Sequence, residues 1–245
     1  PICCQRKSLR VKKSKSKNVS TPIQVYFYAT VTVVMWASAY PGIRAGLESY
    51  SPYSVALLRY LVASVAMLIY AYVLRMPLPA LRDIPRIVSL GFLGFSAYNV
   101  ALNAGQQGVT AGVASFIVAS VPIFMAVMAT IVYGERLTRF GWLGILVSFG
   151  GVVLISVASS TGWQVNGWAL LVLLAAFIQA MYHIFQKPLL VTYSAIQFVT
   201  YAIWAGTAFL LIYTPGLLRD LQTATPSATW AVVYMGIFPG AVGYV

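Results

Sequence analysis

The chain has 245 residues, of which 60% are hydrophobic and only 8% are charged. Soluble globular domains carry about 25% charged residues, so a chain this apolar lacks the polar surface of a water-soluble fold. It is predicted to be an integral membrane protein, and at about 20 residues per span it has room for about seven to nine transmembrane helices.

A basic tail precedes the first apolar segment. Residues 1–21 contain seven of the sixteen lysines and arginines, and such a cluster before a hydrophobic span is typical of a cytoplasmic N-terminus. The net charge of +12 therefore indicates attraction to anionic membrane lipids rather than nucleic-acid binding. The only cysteines, Cys3 and Cys4, lie in this tail, where a structural disulfide is not expected.

Eight apolar runs follow the tail, and each of the first seven is about long enough to cross ~30 Å of hydrocarbon as a helix. They cover residues 22–41, 52–74, 87–107, 111–133, 140–158, 167–185, 193–213 and 228 to the end. Pro122 in the fourth run and Pro239 in the eighth are expected to bend their helices. With the tail inside, thirteen of the sixteen basic residues lie on the cytoplasmic side, as the positive-inside rule favours.

The third run contains a polar stripe, defined by Ser96, Asn99, Asn103 and Gln106. Their spacing places the four side chains on one helix face. An amide facing lipid would cost a few kcal/mol, so the polar stripe is expected to face protein or water. Hydrogen bonds between helices, worth about 0.6 kcal/mol each, are one interpretation. Four polar residues over three turns favour the other, which is the wall of a water-filled substrate cavity.

Two further runs carry residues suited to the same cavity. Gln179 and His183 share a face of the sixth run, with Tyr182 beside them, and Trp36 and Tyr40 are four residues apart in the first run. His183 is the only histidine. It is expected to be a packed, hydrogen-bonded residue, with proton transfer as the alternative. These five residues and the polar stripe are the predicted substrate-binding residues.

Charged residues are rare in the spans. Arg59, about two turns into the second run, is expected to reach the membrane interface as a structural anchor, with capture of a substrate carboxylate as the alternative. The four carboxylates, Glu48, Asp83, Glu135 and Asp220, all lie at predicted span ends or in loops. One histidine and four peripheral acids do not suit a metal site or an acid–base catalytic cluster. Neither an enzyme nor a metal- or cofactor-binding protein is expected.

A weak internal repeat relates the two parts of the chain. An offset of 142 residues places Tyr40 on Tyr182, and GFLGFSAY (91–98) resembles GIFPGAVGY (236–244). A repeat unit of five spans, an odd number, would turn the second copy upside down, as in many secondary transporters. The predicted fold is therefore an all-α inverted-repeat bundle, with a first half over residues 22–158 and an incomplete second half over 167–245.

Four stretches resemble one known family, the EamA-type branch of the drug/metabolite transporter superfamily. They are WASAYPGIRAGL (36–47), SPYSVALLRYLVAS (51–64), TAGVASFIVASVPIFMAVMATIVYGERLT (110–138) and GWLGILVSFGGVVLI (141–155). The third is the most specific, because it joins an AGxAS opening, a mid-helix proline and a closing GERL. The resemblance extends from about residue 22 to the end of the chain.

The resemblance implies ten helices in two inverted halves, of which this chain would contain about eight and lack the ninth and tenth. It implies a secondary transporter of the bacterial inner membrane that exports small metabolites, with amino acids as frequent cargo. A lipid-linked or nucleotide-sugar-like substrate, or import, remains the alternative. The expected partners are a small-molecule substrate and membrane lipids, and whether the protein forms a homodimer is left open.

Overall fold

The computed structural model describes residues 22–134, 138–158 and 167–244. The basic tail with its two cysteines and the Glu135 carboxylate lie outside the described residues. In the described part, every regular element is helical, and five helical segments are long and apolar enough to cross a membrane. The predicted all-α membrane bundle is confirmed.

Eleven α-helices make up most of the described residues. They are α1 (Pro22–Gly46), α2 (Pro52–Val73), α3 (Ile84–Gly91), α4 (Tyr98–Gly105), α5 (Ala111–Val118), α6 (Val121–Tyr133), α7 (Arg139–Ala158), α8 (Gly167–Gln186), α9 (Ala195–Leu210), α10 (Thr214–Thr223) and α11 (Pro226–Ile237). A π-helical segment, Phe92–Ala97, joins α3 to α4 without a turn. Short 3-10 turns occur at 81–83, 189–191, 211–213 and 242–244.

Hydroxyl caps define where several helices begin. Ser51, Thr110, Ser194 and Thr225 each accept a hydrogen bond from the backbone N–H three residues later. This bond satisfies one of the amides that the first helical turn leaves unpaired. Ser194 adds a reciprocal bond from its backbone N–H to the Gln197 side chain, which completes a capping box.

Pro122 and Pro239, the two prolines expected to bend their helices, both lie at helix interruptions. The fourth run is split between α5 and α6, and Pro122 is the second residue of α6, a position where its missing N–H costs nothing. In the eighth run, α11 ends at Ile237, two residues before Pro239. The predicted bends are therefore breaks, and α11 has only 12 residues.

Helices from the two parts of the chain pack against each other. The main contacts join α2 to α9 and α11, α4 to α8, α1 to α11, and α3 to α9. The α3–α9 contact depends on the absence of side chains, because a Cβ on Gly206 would lie 2.6 Å from the Phe95 Cβ and 2.7 Å from the Gly91 carbonyl oxygen. Small residues permit this close approach, as is typical of helices packed in membranes.

Candidate substrate cavity

A cavity of about 220 Å³ lies among the helices of the bundle. Its wall is formed by α1, α2, the π-helical segment, α4, the junction of α5 and α6, α8 and the chain after α11. Six aromatic side chains line it: Trp36, Tyr40, Tyr60, Tyr98, Tyr182 and Tyr244. The cavity is smaller than the about 300–1,000 Å³ of sites for drug-sized ligands, so its size suits a small metabolite.

Five of the predicted residues meet in this wall. Trp36 and Tyr40 contribute from α1, and Gln179, Tyr182 and His183 contribute from α8. Helical spacing and the internal repeat were the signals that indicated them.

The repeat also relates residues that the sequence did not single out as ligands. Tyr98, next to the π-helical segment, and Tyr244, after the end of α11, occupy equivalent positions in the two repeat stretches, and both line the cavity. Tyr40 and Tyr182, the pair related by the offset of 142 residues, both line it as well. The comparison of GFLGFSAY with GIFPGAVGY therefore held the signal that could have identified Tyr98 and Tyr244.

The polar stripe lies outside the cavity lining, which differs from the expectation. Ser96 Oγ donates to the Gly206 carbonyl of α9 at 2.6 Å, and Asn103 Nδ2 donates to the Pro52 carbonyl at the start of α2 at 3.1 Å. Both side chains are buried. The polar stripe packs against α2 and α9 because these helices present backbone carbonyls to it, which corresponds to the interhelical interpretation.

Gln106 ends the polar stripe in a closed environment. Its side chain is fully buried, and neither of its amide atoms has a hydrogen-bond partner within the described ranges. Its backbone carbonyl accepts from the Arg44 guanidinium at 2.6 Å. A cation at this position satisfies a carbonyl that the C-terminus of α4 leaves unpaired.

Asn99 connects the polar stripe to the cavity through Arg59. The Asn99 amide donates to the Tyr60 hydroxyl and to the Phe95 carbonyl, both at 3.0 Å. Its oxygen accepts from the Arg59 guanidinium at 3.3 Å. Two of the three partners require this orientation of the amide, because the Phe95 carbonyl is only an acceptor and the Arg59 guanidinium is only a donor.

Arg59 lines the cavity, and the expectation that it reaches the membrane interface is wrong. Its side chain is 8% exposed, and its Nε–H has no hydrogen-bond partner in the part of the chain that the structure describes. The guanidinium carbon lies 5.4 Å from the centre of the Tyr60 ring. The one ion pair among the described residues joins Arg82 to Asp83, so Arg59 gives the cavity an uncompensated positive charge.

The α8 wall carries a chain of amide and imidazole groups. His183 Nε2 lies 3.3 Å from Gln179 Nε2, and His183 Nδ1 lies 3.0 Å from the side-chain nitrogen of Gln186. A neutral imidazole donates through one ring nitrogen and accepts through the other, so one glutamine must present its oxygen and the other its amide. The remaining amide atom of Gln179 and the Tyr182 hydroxyl are buried without partners in the described residues.

The described residues contain no group of three or more His, Cys, Asp or Glu side chains that could hold a metal ion. The polar groups of the lining residues are instead a guanidinium, phenol hydroxyls, an amide, an imidazole and an indole N–H. Such groups bind carboxylates and ammonium groups of small polar molecules through hydrogen bonds and cation–π contacts. Together with the bundle, they define a helical membrane protein with a small cavity lined by polar and aromatic groups.

The chain belongs to the EamA-like transporter family, whose model matches residues 23–157 and 166–245. It is 42% identical to the "Uncharacterized transporter YdfC" of Bacillus subtilis, over 91% of this chain and 72% of that protein. It is also 42% identical to a "Probable terminal-alkyne amino-acid exporter" of Streptantibioticus cattleyicolor, over 88% of this chain and 72% of that protein. A more distant relative, 24% identical over 89% of this chain and 75% of its own length, is a "Probable amino-acid metabolite efflux pump" of Salmonella typhimurium. The chain is therefore a multi-pass membrane protein of a transporter family.

One solved crystal structure has a similar fold. It superposes with a TM-score of 0.60 at 17% sequence identity and covers 91% of this chain and 77% of that chain. At this identity the likeness shows the arrangement of helices and carries no information on substrate.

Proposed function

We propose that this protein is an inner-membrane secondary transporter that exports small metabolites, such as amino acids, through the cavity between two inverted halves. The observation that carries the proposal is the composition of the cavity wall. Helices α1, α2 and α4 belong to the first predicted half, α8 and the chain after α11 belong to the second, and all of them contribute to one site. Binding between two repeats is the arrangement that secondary transporters use for alternating access.

The breaks in the helices support movement around this site. The π-helical segment and the irregular chain after α11 occupy equivalent repeat positions, and both contribute to the cavity wall. Interrupted helices in a membrane are tolerated where the freed backbone groups are buried or line a cavity. The two halves would rock against each other while these segments keep contact with the substrate.

The names of two relatives, an amino-acid exporter and an amino-acid metabolite efflux pump, are the source of the proposed cargo and direction. A mass-spectrometric comparison of excreted metabolites tests both. The complete gene is expressed in a bacterial host, and the medium is compared with that of cells expressing a Gln179→Leu, Tyr182→Phe variant at equal membrane abundance.

An amino acid or a related metabolite that accumulates outside only with the native protein is the expected result. Depletion of a metabolite from the medium would instead indicate import. No difference in soluble metabolites, combined with a change in extracted lipids or nucleotide sugars, would replace this proposal with the lipid-linked or nucleotide-sugar-like alternative.

A further inference from the structure

We propose that Arg59 is the anchor for a carboxylate group of the substrate, so that the cavity selects carboxylate-bearing metabolites over the corresponding amines. The proposal rests on the transport function proposed above and assigns a substrate class to its site. It is carried by the position of Arg59 in the cavity wall, by the absence of an acidic partner among the described residues, and by the neutral group that orients it.

A positive charge at the buried position of Arg59 is energetically unfavourable. A guanidinium within a membrane-spanning helix is normally paired, or extends to the interface. Arg59 does neither, because it is 8% exposed and its guanidinium donates to a neutral group, the Asn99 amide oxygen at 3.3 Å. The acids of the described residues, Glu48, Asp83 and Asp220, belong to the ends and connections of the helices. An anion that enters the cavity would supply the missing negative charge.

Asn99 prepares Arg59 for this role without neutralising it. Its amide is held by the Tyr60 hydroxyl and the Phe95 carbonyl, so its oxygen stays directed at one terminal nitrogen of the guanidinium. The Nε–H remains without a partner in the described part of the chain. Guanidinium groups bind carboxylates through two parallel N–H donors, and a guanidinium oriented from one side keeps donors for an incoming anion.

The α8 side of the cavity has groups that can bind the ammonium group of an amino acid. Gln179 and Tyr182 on α8 each have a buried polar atom without a partner in the described residues, and aromatic rings surround them. Ammonium groups bind to hydroxyl oxygens, amide oxygens and aromatic faces. By helix position, counted from the caps Ser51 and Ser194, the counterpart of Arg59 in the second half is Ala202, a buried residue. The cavity thus has a cation on one side only, and a zwitterion would bind in a single orientation.

A purely structural role for Arg59 makes a different prediction. If Arg59 only fills space between α2 and α4, its replacement would weaken the binding of every ligand, or the fold itself, without regard to ligand charge. Anchoring of a carboxylate instead predicts a loss that depends on the presence of that group.

The experiment measures the ligand-dependent rise in melting temperature of the purified full-length protein. The probes are L-leucine, L-phenylalanine and L-tryptophan, each compared with its decarboxylated amine: isoamylamine, phenethylamine and tryptamine. The variants are Arg59→Gln, Arg59→Lys and Asn99→Asp, with Arg219→Gln as the matched control, since Arg219 is exposed on α10 and does not line the cavity. Asn99→Asp adds an internal counterion for Arg59. The Tyr60 hydroxyl can donate to the new carboxylate, but the hydrogen bond to the Phe95 carbonyl is lost, so Arg59→Gln and Arg59→Lys are measured beside this variant.

We expect at least one amino acid to stabilise the native protein and Arg219→Gln, and its amine to have no effect. Apparent affinity for that amino acid should fall about tenfold to a hundredfold in Asn99→Asp and Arg59→Gln, and about tenfold in Arg59→Lys, which keeps the charge but loses the planar fork. Because Asn99→Asp exchanges the hydrogen bond to the Phe95 carbonyl for an ion pair with Arg59, a cooperative melting transition without ligand is the check that this variant is folded.

A folded Arg59→Lys or Asn99→Asp protein that binds amino acids like the native protein would overturn the proposal. So would native protein that prefers the amines, or that binds no carboxylate of the panel. These results are independent of the export experiment. Selective binding of amino acids without any excretion would contradict the proposed export function and support the role of Arg59. Excretion that is unchanged in the Arg59 variants would support export and contradict the role of Arg59.

Discussion

At the scale of residues, the buried polar side chains differ in how far their hydrogen bonds are completed. Ser96 donates to α9, and the Asn99 amide donates to the Tyr60 hydroxyl of α2 and to the Phe95 carbonyl one turn earlier. Six buried side-chain atoms have no partner in the described residues, and three of them belong to Arg59, Gln179 and Tyr182, which line the cavity. The other three belong to Asn103 and Gln106, which do not line it. An unpaired buried polar atom costs about 1–3 kcal/mol, so a ligand that pairs the atoms of Arg59, Gln179 and Tyr182 would recover part of that cost.

Tyr182→Phe tests this interpretation at one atom. The Tyr182 hydroxyl has no partner in the described residues, so removing it breaks no hydrogen bond there. The free energy of unfolding of the ligand-free variant should therefore equal that of the native protein or exceed it by up to about 1 kcal/mol. Affinity for the transported substrate should fall about tenfold. Melting temperatures measured with and without substrate check both expectations.

Tyr133→Phe is the matched control and should show the opposite pattern. The Tyr133 hydroxyl donates to the Ile184 carbonyl at 3.0 Å, and Tyr133 does not line the cavity. This variant should lose about 1 kcal/mol of stability and keep its affinity. A Tyr182→Phe protein that is less stable but binds normally would show that the hydroxyl has a structural role.

At the scale of elements, the π-helical segment sets the relation between α3, α9 and the cavity. Phe95, in this segment, contacts the rings of Tyr60 and Tyr182, each with ring centres 5.5 Å apart. A Cβ on Gly94 would lie 2.5 Å from the Tyr182 ring. Gly94 of this segment lines the cavity and Phe95 packs behind the lining residues Tyr60 and Tyr182, which agrees with the frequent occurrence of π-bulges at functional sites.

Gly206→Ala should destabilise the contact between α3 and α9. The added methyl group would meet the Phe95 Cβ and the Gly91 carbonyl, neither of which can rotate away, so a loss of about 1–3 kcal/mol is expected. Gly112→Ala is the matched control, since a Cβ there meets nothing within 4 Å, and its stability should be unchanged or slightly higher. Thermal unfolding of both variants in detergent measures the difference, and equal melting temperatures would contradict the close packing.

The positions of the helices along the chain could be predicted from the sequence better than the contacts between helices. Hydrophobic run length located the helices, and proline chemistry located the breaks at Pro122 and Pro239. Helical spacing showed that Asn99 and Asn103 share a face, but spacing contains no information on which helix covers that face. The burial of Arg59 also depends on a tertiary contact, its hydrogen bond to Asn99. The π-helical segment contains no proline or turn motif from which it could have been predicted.

At the scale of the whole molecule, the distribution of charge and the packing of the two halves lead to one expected topology. Seven of the sixteen basic residues lie in the tail, and the proposed orientation places the tail in the cytoplasm. An odd number of spans in each repeat would then invert the second half. The contacts between α2 and α9 and between α4 and α8 join helices of the two predicted halves.

The two cysteines allow a direct test of this orientation, because the sequence has no others. A membrane-impermeant maleimide should not label Cys3 and Cys4 in intact cells and should label them after permeabilisation. In a Cys3→Ser, Cys4→Ser background, Glu48→Cys, in the exposed connection after α1, should be labelled in intact cells. Leu78 lies between α2 and α3 and is 84% exposed. In the same background, Leu78→Cys should not be labelled in intact cells. Labelling of the native cysteines in intact cells would place the tail outside.

The neutrality of Asn99 has an evolutionary consequence. Asparagine and aspartate codons differ by a single base, so one point mutation would supply Arg59 with an internal carboxylate and, under the proposal for Arg59, would remove the preference for carboxylate-bearing substrates. Relatives that carry an acid at the position of Asn99 are therefore expected to transport amines or uncharged compounds. A family built on this bundle could change the charge of its cargo without changing its helices.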